Sequence, residues 1–190
     1  LLPNTHSPIE KIGEGYYVDE LVEQLQDPSL WNRHPVRLYG PHSKLSDIWC
    51  RFNAWENYDP EHPERFVEEH ESVWYPVVEE LPALKPLVFG VLTVLKATKL
   101  AGVLITKIPP HEICKPHKDA GWHALTHEKV AISLQANEDQ AFCFEDQELR
   151  TKPGDLFTFD NSRMHWVVNN SDSDRTTLIM NIRRSSCPGA

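Results

Sequence analysis

The chain has no surplus of positive charge. Lysine and arginine number 19 against 28 aspartates and glutamates, a formal net charge of -9 over 190 residues. Binding to nucleic acid leans on a basic surface, so nucleic acid is not an expected partner. Cysteine is sparse. Cys50, Cys114, Cys143 and Cys187 form no Cys-x-x-Cys pair, whereas disulfide frameworks and structural zinc sites show tighter spacing. Reduced thiols fit a cytoplasmic-type compartment. No stretch near the start joins a basic segment to an apolar run, so no signal peptide is read there. The most apolar run, "LVFGVLTVL" at 87–95, is too short to cross a bilayer, and no membrane association is expected. Neither an internal repeat nor a low-complexity tract is present. The length suits one domain, 1–190, with a core of its own.

What is present divides into two textures. Residues 15–26, "GYYVDELVEQLQ", set Tyr17, Val18, Leu21, Val22 and Leu25 on one helical face. Residues 61–81 repeat that spacing with Phe66, Val67, Val73, Trp74, Val77, Val78 and Leu81. Pro63 suits the first turn of such a helix and Pro76 should kink it. A third helix is predicted from about Pro86 to Ala97. Between the first two, "WNRHPVRLYGPHSKLSDIWCRFN" is predicted to be extended or irregular. From Leu100 onward short β-rich segments follow one another: "AGVLITKIP", "ICKPHKD", "KVAISLQAN", "AFCFED", "DLFTFD", "HWVVNN" and "RTTLIMNIR". Turn chemistry such as "NEDQ", "KPGD" and "NSDSD" separates them. The pattern predicts an α+β, mainly β fold. Residues 1–99 form helical and irregular support, and 100–185 form the strands of a sandwich or jelly roll, braced on one face by the helices.

The strands carry a metal-ligand pattern. In a strand, residues i and i+2 share a face, so His117 and Asp119 would present an imidazole beside a carboxylate. That is two-thirds of the two-histidine, one-carboxylate facial triad suited to non-haem Fe(II). His165, opening "HWVVNN" after a Pro-Gly turn, is the candidate third ligand. Arg175 lies ten residues beyond His165. Its guanidinium is a planar, bidentate donor for a carboxylate, and Thr177, two further on, should share its face. The His-x-acid pair alone carries little weight. With ten histidines and 28 acids in 190 residues, one or two such pairs are expected by chance, and the chain has two, the other being His62 with Glu64. The weight lies in the order His-x-Asp, Pro-Gly turn, His, Arg. His111, His123 and His127 read as non-ligands, and Trp122 is a candidate wall for a substrate pocket.

Residues 111–183 resemble the aspartyl/asparaginyl β-hydroxylase and proline-hydroxylase group of Fe(II)/2-oxoglutarate dioxygenases. The resemblance rests on "HKD" at 117–119, "KPGDLFTFDNSRMHWVVNNSD" at 152–172 and "DRTTLIMNI" at 174–182. "RLYGPHSKLSDIW" at 37–49 is a fainter echo. The resemblance implies a double-stranded β-helix of the cupin-like, jelly-roll kind. It implies His117, Asp119 and His165 as iron ligands and Arg175 as the grip on the distal carboxylate of 2-oxoglutarate, with O₂ as the other cosubstrate. Some members replace the acid with Gly; this chain keeps Asp119, as the free-proline hydroxylases do. Many members carry a basic residue about a dozen positions after the first ligand. Both His127 and Lys129 fall in that window, and Lys129, directly before "VAISL", is preferred.

The function expected is therefore hydroxylation of an unactivated C–H bond of an amino acid, free or in a peptide. The small-molecule or peptide substrate is the one partner expected. Two other readings remain: a metal cupin with chemistry that needs no 2-oxoglutarate, and a non-catalytic jelly-roll binding module. Arg175 speaks against the first and the intact His-Asp-His set against the second.

Overall fold

The computed structural model describes residues 7–37 and 40–184. In chain order these form β1 (Ile9–Gly13), α1 (Asp19–Gln24), β2 (Ser46–Asn53), β3 (Ser72–Trp74), α2 (Leu84–Val94), β4 (Ala97–Ile108), β5 (Ile113–His117), α3 (Trp122–Thr126), β6 (Glu128–Gln135), β7 (Gln140–Phe144), β8 (Glu148–Leu149), β9 (Leu156–Phe159), β10 (His165–Asn169) and β11 (Arg175–Arg184). Two antiparallel sheets result. The larger runs β1-β9-β6-β11-β4-β2-β3 and the smaller β5-β10-β7-β8. This is the expected double-stranded β-helix.

Strand alternation sorts the apolar residues between two cores. On one face of the large sheet, Val103 and Ile105 of β4, Val130 and Ile132 of β6, and Leu178, Met180 and Ile182 of β11 form a buried cluster. Helix α1 covers it with Leu21, and α2 with Leu84, Val88 and Val91. Each such fully buried side chain is worth about 1.5–3 kcal/mol over an exposed one. The helices thus brace one face, as the sequence predicts. On the other face the sheets close on a second core that includes Ile108, Ala131, Phe142, Phe144, Phe157, Phe159 and Val167.

The first half of the chain is less helical than its periodicity suggests. Residues 61–81 are not a kinked helix. They form a 3₁₀ turn at Pro63–Val67, the edge strand β3, and a second 3₁₀ turn at Pro76–Glu80. Pro76 has no N–H to donate to an α-helical ladder, and the N–H of Tyr75 is drawn to Cys50 O at 2.9 Å. The buried residues Phe66, Val77, Val78 and Leu81 still face the core. Helix α1 is shorter than 15–26: Gly15 takes φ +76° and the Tyr16 N–H pairs with Gly154 O at 3.1 Å. Tyr17, placed on the apolar face by spacing, is exposed. The partner glycine of the "KPGD" turn, Gly154, has φ +82° and lies so near the Tyr16 backbone that no Cβ would fit.

Cys50, Cys114 and Cys143 are free, buried thiols; Cys187, Leu38 and Tyr39 lie outside the described residues. No helix among the described residues is long and apolar enough to cross a membrane.

Candidate active site

His117 closes β5 and His165 opens β10, and the antiparallel register sets them directly opposite each other. Their rings lie 4.4 Å apart, centroid to centroid. Asp119 joins them by a different route from the one alternation predicts, because β5 ends at His117. Its backbone N–H donates to Asn161 O at 3.0 Å, which pins the loop against the chain just ahead of His165. The carboxylate then stands 3.5 Å from His117 Nε2 and 4.0 Å from His165 Nε2. One ligand atom from each of the three residues falls within 4.8 Å of the others. The Nδ1 of His117 lies 2.7 Å from Lys115 O, and that of His165 lies 2.9 Å from Arg163 O. Each Nδ1–H therefore donates to a main-chain carbonyl, which leaves Nε2 as the nitrogen free to meet a metal.

Charge in this cluster is balanced by neighbours rather than by water. Burial opposes the ionised form of Asp119, yet the ion pair with Lys129 and the contact with His117 hold its carboxyl well below the usual range. Burial likewise opposes a charged His117, but hydrogen bonding to Asp119 and Cys114 raises it to about 9. His165, more enclosed, is pushed down by burial. The pairing of a raised imidazole with a lowered carboxyl makes the cluster a place where a cation fits.

A narrow inner cavity leads from this cluster to Arg175, Thr177 and Thr106. Arg175 is 3% exposed, and burial lowers its guanidinium to about 10. Its Nη1 donates to Thr177 Oγ1 at 2.6 Å. Its Nε, and the hydroxyl of Thr106 opposite Thr177 in the register, are buried without a partner among the described residues. An unsatisfied buried donor costs about 1–3 kcal/mol, so this end of the cavity is built for an acceptor, and for an anion. The donor set and the orphaned guanidinium nitrogen both fit Fe(II) with a dicarboxylate.

A wider outer cavity of about 290 Å³ opens on the other side of His117 and Asp119. Trp122 lines it, as do Trp49, His123 and Asn181. Trp49 Nε1, His123 Nδ1 and Asn181 Nδ2 are buried there without protein partners among the described residues. Arg37 and Lys129 reach both cavities. Arg37 is held by Asp47 through Nε at 2.8 Å and Nη2 at 3.1 Å. Burial works against its charge, and Asp47 more than offsets that.

Of the residues read from sequence, His117, Asp119, His165, Arg175, Thr177, Lys129 and Trp122 all line these cavities. His127, the alternative to Lys129, lines neither. His111 pairs with Asp172 at 2.8 Å, away from the cluster. The sequence reading missed Arg37, His42, Thr106 and Asn181. Asn181 was within reach, since Arg175, Thr177, Ile179 and Asn181 follow one another at period two along one strand face.

The fold is one shared with oxygenases built on a double-stranded β-helix. An oxidoreductase of the 2OG-Fe(II) oxygenase family from Burkholderia pseudomallei superposes with a TM-score of 0.52 at 15% identity, over 86% of this chain and 78% of that one. The viral collagen prolyl hydroxylase of Paramecium bursaria Chlorella virus-1 gives 0.53 at 13% identity, over 95% and 97%. At such identities the likeness is one of fold. No curated protein sequence matches the chain. The family model for aspartyl/asparaginyl beta-hydroxylase matches residues 26–185, and the chain belongs to that family.

Proposed function

We propose that the protein is an Fe(II)/2-oxoglutarate-dependent dioxygenase that hydroxylates an unactivated C–H bond of an amino acid, free or within a peptide. The observation that carries this reading is the juxtaposition of the His117, Asp119 and His165 cluster with a buried arginine whose Nε has no protein partner. His117, Asp119 and His165 would hold the iron. Arg175, steadied by Thr177, would hold the distal carboxylate of 2-oxoglutarate, with Lys129 at the side shared by both cavities. The iron and its cosubstrate, when bound, supply the oxidising power that inserts one oxygen atom of O₂ into the substrate, with succinate and CO₂ as the other products. The protein's part is to orient the two ligands, neutralise their charge and keep water away.

The outer cavity supports a small substrate or a single side chain of a peptide. Its volume sits near the lower end of ligand pockets, about 300 Å³, and its wall mixes aromatic surface with unpaired donors. A cupin working without a cosubstrate would leave the buried charge of Arg175 without purpose.

An anaerobic titration tests the reading. Fe(II) plus 2-oxoglutarate should give the weak visible charge-transfer band of the chelate, and His117→Ala or His165→Ala should abolish it. No response of the iron-loaded protein to 2-oxoglutarate would overturn the proposal. A succinate-release screen over free amino acids and short peptides then identifies the substrate.

A further inference from the structure

A second group of metal-ligating side chains shares one residue with the first. His42, Cys114 and His117 each offer a ligand atom within 4.8 Å of the others. Cys114 and His117 are three apart on β5, so regular alternation would send them to opposite faces. Pairing with β10 is irregular between them: His117 faces His165 and Cys114 faces Val167, three steps against two. This bulge turns both side chains inward, and both line the inner cavity. Cys114 Sγ lies 4.0 Å from His117 Nδ1. His42, from the 3₁₀ turn Gly40–His42, sets its ring edge-on to His117 at 4.6 Å. Its Nε2 is buried with no hydrogen-bond partner among the described residues.

We propose that His42, Cys114 and His117 form a separate site for a soft metal ion, and that its occupancy opposes iron binding. A thiolate with two imidazoles selects Zn(II), Co(II) or Cu(I) over hard, oxygen-seeking ions. Binding forms the metal–sulfur bond and releases the thiol proton to solvent, with no change of oxidation state. The opposition follows from the shared ring. His117 Nε2 faces Asp119, while Nδ1 faces Cys114 and donates to Lys115 O. An ion on the Cys114 side displaces the Nδ1 proton, which passes to Nε2 or to solvent, or it pulls the ring from the iron side. Two cations on one imidazole, beside Arg37, repel each other. The site goes beyond the proposed hydroxylase activity and does not require it.

Cobalt provides the test, because a thiolate ligand gives Co(II) an intense near-ultraviolet charge-transfer band that nitrogen and oxygen ligands do not. Full-length protein, stripped with a chelator and kept anaerobic, is titrated with Co(II). The band should appear in wild type and persist in His165→Ala, which removes an iron ligand and none of this site. It should vanish in Cys114→Ser, or in Cys114→Ala if serine is not tolerated. His42→Ala should weaken Co(II) binding by at least the ~10- to 100-fold typical of losing even an outer-sphere partner. Added Zn(II) should weaken Fe(II) binding more in wild type than in Cys114→Ser. A wild-type protein without the band, a band that survives loss of Cys114, or equal zinc sensitivity would overturn the proposal. The Fe(II)–2-oxoglutarate band of wild type is scored separately, so failure of either reading leaves the other to stand on its own result.

Discussion

Arg175 is a buried cation with a donor unpartnered among the described residues. Its guanidinium is enclosed, held on one side by Thr177, and left with a bare Nε on the other. A buried charge without a counterion is a cost to the folded state, which function alone repays. Replacement by a flexible apolar side chain should therefore separate stability from binding. Arg175→Met is expected to leave the ligand-free Tm unchanged or raise it. It should weaken 2-oxoglutarate about 100-fold or more, the worth of two charge-assisted hydrogen bonds at ~1.5 kcal/mol each. Calorimetry on Mn(II)-loaded protein reads the affinity, and an unchanged value would remove Arg175 from its assigned role. Arg175→Lys should rescue poorly, because one ammonium cannot serve both Thr177 and a carboxylate in the fork geometry of arginine. At the same scale, His123 is driven down to about 3 and His127 to about 4, by burial first and then by neighbouring positive charge. A histidine whose folded pKa lies below its ordinary 6.5 binds fewer protons folded than unfolded. Its contribution is intact above pH 6.5 and is lost as the pH falls toward the folded value. Thermal unfolding should show Tm dropping between pH 6.5 and 4, and His123→Gln should flatten that slope; an equal slope in the variant would contradict it.

At the scale of elements, the turn between β10 and β11 decides where Arg175 begins. Asn169 ties that turn down from the end of β10. Its side-chain amide reaches Ile108 O at 3.0 Å, Pro109 O at 2.9 Å and Ser173 O at 2.8 Å, and its Oδ1 accepts from Ser171 N and Oγ. Asn169→Ala should cost about 1–3 kcal/mol through orphaned buried groups. It should also weaken 2-oxoglutarate more than Fe(II), since the turn leads directly into Arg175 while His165 lies at the far end of β10. Denaturant unfolding and separate metal and cosubstrate titrations check both halves. Elements also mark how much was legible. Most strands beyond residue 100 were readable because they alternate or are largely apolar and end in turn chemistry; the two-residue β8 was not read. His117, Asp119, His165 and Arg175 were readable as a group because their order along the chain is itself the signal. Residues 61–81 misled because 3₁₀ turns separated by an edge strand can bury the same spacing of Phe66, Val77 and Leu81 as a helix. Thr106 and Arg37 were illegible for a different reason. Thr106 matters because the register sets it against Thr177, and Arg37 because Asp47 of β2 orients it. Neither relation is local in sequence.

For the molecule as a whole, the site-bearing strands depend on the half of the chain that carries none of the proposed iron ligands. β4 lies between β11 and β2, and β2 in turn carries the edge strand β3. The face of the large sheet turned away from the site is covered by α1, α2 and the Pro76–Glu80 turn. A fragment of residues 100–184 would keep His117, Asp119, His165 and Arg175. It would also bare Val130, Ile132, Leu134, Leu178, Met180 and Ile182 to water and leave β4 as a long open edge. Six aliphatic side chains at about 1.5–3 kcal/mol each are together comparable to the whole stability of an ordinary domain, roughly 5–15 kcal/mol. Exposed apolar edges also invite pairing between chains. The fragment is therefore expected to show no cooperative thermal transition, to lack near-ultraviolet circular dichroism and to aggregate. A fragment that melted cooperatively and bound Fe(II) would mean that the first hundred residues are an accessory to the jelly roll. The packing argues instead that they are the second wall of its core.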